Sequence, residues 1–153
     1  MAEGDGEPLT LLAPAPPVIR LGTVAVTPPP GAFLQATTDA EAALQQAVAE
    51  FVGSASRVTD LFAGCGTLGL PLLKSLSKLT AAESDTAALA AMKAAVDAAG
   101  LGARLDCIEA DLMRAPLTAD LFGNVEAVII DPPRAGALAV SYTHLTLPTT
   151  IEV

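Results

Sequence analysis

The 153-residue chain has no tryptophan, one tyrosine, one histidine and two cysteines. Two thiols, Cys65 and Cys107, are too few for a four-thiolate zinc site or an iron–sulfur cluster within one chain, and no metal is expected in it. Basic residues are also scarce. Eight Lys and Arg stand against seventeen Asp and Glu, for a net charge of −9. A module whose main task is gripping nucleic acid leans the other way, so any such grip is local or supplied by other chain. No run of about 18 apolar residues occurs, so no membrane span is expected. The opening MAEGDGEP carries Glu3, Asp5 and Glu7 where a secretory leader needs positive charge. The expected setting is soluble, reducing and cytoplasmic. What the chain does have is aliphatic: 52% of it is hydrophobic, a core-forming composition rather than a disordered one.

A Pro-rich lead runs into two short β-type stretches, Val18 to Leu21 and Val24 to Thr27, joined through Gly22 and stopped by Pro28-Pro29-Pro30-Gly31. In TTDAEAALQQAVAEFV, apolar residues at Ala40, Ala43, Leu44, Ala47, Val48 and Phe51 predict one helical face, capped by Thr38 or Asp39. From Arg57 the pattern alternates. RVTDLF predicts a strand, LGLPLLKSL a helix with Pro71 in its first turn, KLTAAE a strand, and DTAALAAMKAAVDAAG a helix ended by Gly100. RLDCIEA and VEAVIID predict two further strands, the last apolar enough to be buried on both faces. This grammar is that of an α/β doubly wound, Rossmann-like parallel sheet, preceded by a short β-hairpin and a helix. Ligands in that architecture sit beyond the carboxyl ends of the strands.

Acids fall at those ends. Asp60, Glu83, Asp111 and Asp131 each lie at or just after a strand exit, whereas Asp85 and Asp39 read as helix caps. Between the first two lies DLFAGCGTLGL, containing Gly64-x-Gly66-x-x-Gly69, the spacing of a dinucleotide fingerprint. A pyrophosphate wants backbone amides and no negative neighbour. S-adenosylmethionine brings a sulfonium and an ammonium, which Asp60 would attract. The glycines serve either ligand because they admit close backbone approach. Glu83, nineteen residues after Gly64, can accept from ribose hydroxyls in both cases. Asp111 suits an adenine amino group. A nicotinamide cofactor and a methyl donor both remain open at this point.

DLFAGCGTLGL, AAESD and DPPRAG, in this order, resemble the class I methyltransferase core of the RNA uracil-C5 methyltransferases, and PGAFLQAT resembles that family's Phe-x-Gln-x-Asn segment. The resemblance runs from about Pro30 to Ala137, and Asp131-Pro132-Pro133-Arg134 is its most specific part. It implies S-adenosylmethionine as cofactor, with Gln35, Phe62, Gly64, Gly66, Thr67, Glu83, Asp111 and Asp131 around it. It places Phe33 near the target base, and Arg134 either on an RNA phosphate or paired with a nearby acid. Thr67 and Thr37 stand where relatives carry Asn. The implied partner is rRNA or tRNA, and the implied reaction is methyl transfer to uracil C5.

In that family a cysteine in a Ser-Cys-Asn-Pro stretch beyond DPPR attacks C6 of the base, and a later glutamate helps remove the C5 proton. Neither stretch is present, Cys65 and Cys107 read as packing residues, and no catalytic residue is assigned. The organisation expected is a lead over 1–30, a donor-binding core over 31–137 that is incomplete at its C-terminus, and a foreign tail over 138–153. SYTHLTLPTTIEV resembles translated sequencing-adapter read-through, so a longer native end and an inactive fragment are expected. The alternatives are another class I methyltransferase acting on a base amino group or on protein, an NAD-dependent oxidoreductase, or a noncatalytic binding module.

Overall fold

The computed structural model describes residues 15–32, 34, 37–114, 124–133 and 150–152. An antiparallel hairpin of β1 (Ile19–Leu21) and β2 (Val24–Val26) opens it. Gly22 makes the turn at φ 62°, and a Cβ there would lie 2.9 Å from Pro71 Cα, so the turn rests directly on the backbone after the glycine bend. Leu21, Val24 and Val26 are fully buried, and β2 packs on the second helix of the chain.

Next come α1 (Thr38–Val52), β3 (Arg57–Leu61), β4 (Lys78–Glu83), α2 (Thr86–Ala98), β5 (Leu105–Glu109), β6 (Ala127–Ile130) and β7 (Thr150–Glu152). The second sheet is parallel throughout, in the order β5-β4-β3-β6-β7. The chain winds outward from β3 through β4 to β5, then returns to the other side of β3. That reversal is the doubly wound order, and it leaves a crevice at the carboxyl ends beside β3. β7 lies in the stretch expected to be foreign and pairs with β6, Val128 opposite Thr150.

Strand alternation sorts the core onto two faces. Val58, Leu79, Ala81, Ala127 and Ile129 join one cluster with Val48 and Val52 of α1 and Met92 and Val96 of α2. Leu61, Ala82, Val128 and Ile130 face the other way into a smaller cluster with Leu112. No helix among the described residues is long and apolar enough to cross a membrane.

Two elements differ from the sequence reading. The segment expected to be a helix over LGLPLLKSL is a 3-10 turn at Leu70–Leu72 followed by further turns. Pro71 supplies no amide, and the Leu72 and Leu73 amides make i−3 bonds, to Gly69 and Leu70 at 3.1 Å each. In α1 the buried face is offset from the expected one. Val48 and Val52 are buried and Leu44 is half-buried, whereas Ala40, Ala43 and Ala47 are exposed and Phe51 is 65% exposed. Its cap is Thr37, whose Oγ1 accepts from Ala40 N at 3.2 Å, in place of Thr38 or Asp39.

Asp85 caps α2, its Oδ1 accepting from the amides of Ala87 at 2.9 Å and Ala88 at 3.1 Å. Asp85→Ala is expected to lower stability by about 1 kcal/mol. A urea midpoint equal to the wild type's would contradict that assignment.

Candidate functional site

Each of the strands β3, β4, β5 and β6 delivers one carboxylate to the same end of the sheet, and the glycine bend after β3 closes the space between them. The result is a cleft of about 810 Å³. Asp60, Glu83, Asp85, Asp111 and Asp131 all line it, and no Lys, Arg or His does among the described residues. Three basic side chains stand at the opposite, strand-entry end. Arg57 stands beside Lys78 at the start of β3 and β4. Lys78 Nζ pairs with Asp106 at 2.8 Å, and Arg104 donates to the carbonyls of Lys74 and Leu76 at 2.8 and 2.9 Å.

Of the residues anticipated from the sequence, Phe62, Gly64, Thr67, Glu83, Asp111 and Asp131 are brought to this cleft. Gly66 is not among its lining. It sits at φ 89°, where a Cβ would meet Leu70 Cγ at 2.5 Å, so its task is to let the bend pack on Leu70. Phe33, Gln35 and Arg134 lie outside the described residues. Gly64, at φ 54°, has open space where its Cβ would be. Phe62 has φ 61°, unique among the described non-glycine residues, a conformation that costs an L-residue about 1–2 kcal/mol. Its ring packs against the smaller cluster.

Glu83 organises the bend. Its Oε2 accepts from Gly64 N at 2.9 Å, while Oε1 accepts from the amides of Ser84 and Asp85 at 2.7 and 3.0 Å and from the Ser84 hydroxyl at 3.1 Å. Asp111 Oδ1 accepts from Met113 N at 3.1 Å, and Oδ2 pairs with Arg114 at 3.4 Å on the exposed rim. Asp131 follows β6 and leads into Pro132 and Pro133 on the cleft wall. Burial holds its carboxyl above the usual range.

The sequence reading expects Asp60 to attract the donor's charge but says nothing of its depth, and it leaves Gln45 unassigned. Asp60 is 1% exposed, lines the cleft, and has an Oδ2 with no hydrogen-bond partner. Burial pushes its pKa up to about 7; the Gly69 amide draws it down, and Asp131 and Glu83 raise it further. Gly69 makes room for it: a Cβ there would lie 2.7 Å from Oδ2. Gln45 of α1 donates to the Thr67 carbonyl at 3.0 Å and ties the bend to the helix. Nothing in the pattern flagged Gln45, because its partner lies 22 residues away. Cys65 lines the cleft but is 2% exposed, and burial pushes its thiol up, with Asp85 and Glu83 adding to the effect. Burial raises the half-buried Cys107 thiol as well. No group of His, Cys, Asp and Glu suited to a metal ion occurs among the described residues.

A parallel sheet of this order, with a glycine bend and a ring of strand-exit acids at its switch point, defines a nucleotide-type cofactor-binding α/β domain. The chain belongs to the methyltransferase small domain family, which it matches over residues 23–146. It is 44% identical over 128 residues to an uncharacterized RNA methyltransferase of Mesorhizobium japonicum, covering 83% of this chain and 31% of that protein. It is 34% identical over 154 residues to the 23S rRNA (uracil(1939)-C(5))-methyltransferase RlmD of Pseudomonas putida, covering 90% and 31%. Among solved structures, the tRNA (uracil-54, C5)-methyltransferase of Pyrococcus abyssi in complex with S-adenosyl-L-homocysteine superposes with a TM-score of 0.63 at 26% identity, covering 78% of this chain and 28% of that one. The chain spans about a third of the length of the curated relatives it matches.

Proposed function

We propose that the chain is the donor-binding part of an RNA methyltransferase that uses S-adenosylmethionine to methylate uracil C5 in rRNA or tRNA. The observation that carries the choice of cofactor is the cleft itself: five carboxylates and no cationic side chain among its described lining residues. Such a surface attracts a ligand with a sulfonium and an ammonium, and repels a pyrophosphate.

The bend argues the same way. A pyrophosphate needs free amides aligned at a helix N-terminus. Here Gly64 N is donated to Glu83, Gly66 N to Ala63 O at 2.8 Å, and Leu70 N to Gly66 O at 2.9 Å. The bend then runs into a 3-10 turn of three residues in place of a helix. The residues present suit the methyl donor: a buried carboxylate oxygen without a partner at Asp60, and open space beside Gly64. Glu83 would take the ribose hydroxyls. Asp111 would take the adenine amino group, exchanging an Arg114 pair that is 88% and 48% exposed and so contributes little. Asp131, Phe62 and Thr67 complete the walls, with Gln35 and Phe33 placed by resemblance ahead of α1. When bound, the donor supplies an electrophilic methyl group on its sulfonium.

RNA as the partner, and uracil C5 as the target, rest on the likeness to the Pseudomonas and Pyrococcus proteins and on the DPPR element, in which Arg134 stands where an amino-group methylase usually has an aromatic residue. Attack on C6 of a uracil needs an accessible thiolate. Cys65 and Cys107 are the only cysteines, and burial raises both thiols. The chain by itself therefore binds the donor without turning it over.

Isothermal titration with S-adenosylhomocysteine and, separately, with NADH tests the cofactor. Saturable heat with S-adenosylhomocysteine alone is expected; heat with NADH alone would establish an oxidoreductase-type site in its place.

A further inference from the structure

Asp60 is the deepest acid of the cleft, and its environment is hard to reconcile with a standing charge. It lies at the floor, 1% exposed, and its Oδ2, which has no hydrogen-bond partner, lies against Gly69, where an added Cβ would sit 2.7 Å away. Among the described residues, the Gly69 amide is the one donor that approaches it. The titratable groups facing it among the described residues are Asp131 at the β6 exit and Glu83 at the β4 exit, both acids. A buried carboxylate with one donor and two like-charged neighbours is unstable as an anion until a cation arrives.

We propose that Asp60 specifies the donor by proton exchange: in the empty cleft it holds a proton, and it releases that proton to solvent when a ligand bearing an amino-acid ammonium group enters. The inference rests on the methyl-donor reading of the same cleft. The O–H bond of Asp60 breaks, the proton passes to water or buffer, and the carboxylate left behind faces the ligand's positive charge. A neutral adenosine, which shares the nucleoside but carries no charge, has nothing to exchange for the proton.

The sign comes from the raised pKa of about 7 in the empty protein. A charged ligand binds the ionised form, so affinity is full above that value and falls as pH drops below it. Between pH 7.5 and 6 the dissociation constant of S-adenosylhomocysteine is expected to rise about eightfold, with roughly three-quarters of a proton released at pH 6.5. Titration calorimetry of the wild-type chain in phosphate and in imidazole, buffers of different ionisation enthalpy, reads the released proton directly. Adenosine should release none, and Asp60→Asn should remove both the release and the pH dependence. Should Asp60→Asn fold poorly, the wild-type buffer comparison stands alone. A second measurement needs no ligand: wild-type stability should fall relative to Asp60→Asn as pH rises from about 4 to about 7, since the raised group favours folding only while protonated. Binding of S-adenosylhomocysteine without proton release, or equal release with adenosine, overturns the inference alone. Absence of binding at every pH overturns the methyl-donor reading and this inference together.

Discussion

Gly66→Ala is expected to cost about 2–5 kcal/mol of folding stability, the sum of a left-handed backbone forced on an L-residue and an overpacked contact. The new Cβ would sit 2.5 Å from Leu70 Cγ and 2.8 Å from Leu70 Cδ1, with Met92 Cγ behind at 3.4 Å. Leu70 and Met92 are both fully buried, so neither can swing aside without opening the larger core cluster. Gly64→Ala is the informative partner. Its backbone is also left-handed, at φ 54°, but nothing lies within 4 Å of the added methyl. It should therefore lose only about 1–2 kcal/mol of stability, and lose S-adenosylhomocysteine affinity because the methyl occupies space beside the cleft. Urea denaturation and titration calorimetry on the two variants separate the effects. Equal stability losses in the two, or a Gly66→Ala protein with an unshifted midpoint, would refute the division of labour between these glycines.

That division was not visible in the Gly-x-Gly-x-x-Gly spacing, which treats the three glycines alike. Spacing reports where a side chain is absent; φ and the surrounding atoms report why. The strands were legible because burial on alternating faces leaves a period of two: KLTAAE matches β4 residue for residue, and the acids stand where the strands stop. α2 was legible from its ends, Asp85 capping one and Gly100 at φ 72° closing the other. α1 was half legible. With alanine at positions 40, 43 and 47, two adjacent faces have similar apolar character, and the choice fell to tertiary contacts: Val48 and Val52 turn inward, Gln45 reaches Thr67, and Phe51 is left outside. The segment after the bend was misread because leucine spacing suits a helix equally well, whereas Pro71 and the close seat of Gly22 on its backbone favour a tighter turn. The depth of Asp60 could not be read at all, since a strand-end acid has the same pattern whether it is on the rim or beneath it.

Glu83 should be the most sensitive side chain for donor binding, because it acts on two objects at once. One carboxylate oxygen holds the Gly64 amide and the other gathers the Ser84 and Asp85 amides, so the bend after β3 and the turn into α2 are joined through a single group. The ribose hydroxyls are proposed to bind to this same carboxylate. Hydrogen bonds to a charged acceptor contribute about 1.5–3 kcal/mol each, and an amide side chain would turn one of its two positions from acceptor to donor. Glu83→Gln therefore leaves either Gly64 N or the Ser84 and Asp85 amides facing an NH2 group. A loss of about 2–4 kcal/mol in S-adenosylhomocysteine binding is expected, roughly 30-fold to 1,000-fold in dissociation constant. Amide hydrogen exchange in the ligand-free protein distinguishes the two tasks. If Glu83 only meets the ribose, Gly64 N exchanges in Glu83→Gln at the wild-type rate; if it also holds the bend, that amide exchanges faster while those of β3, at the centre of the sheet, are unchanged. Wild-type affinity in Glu83→Gln would remove Glu83 from the site altogether.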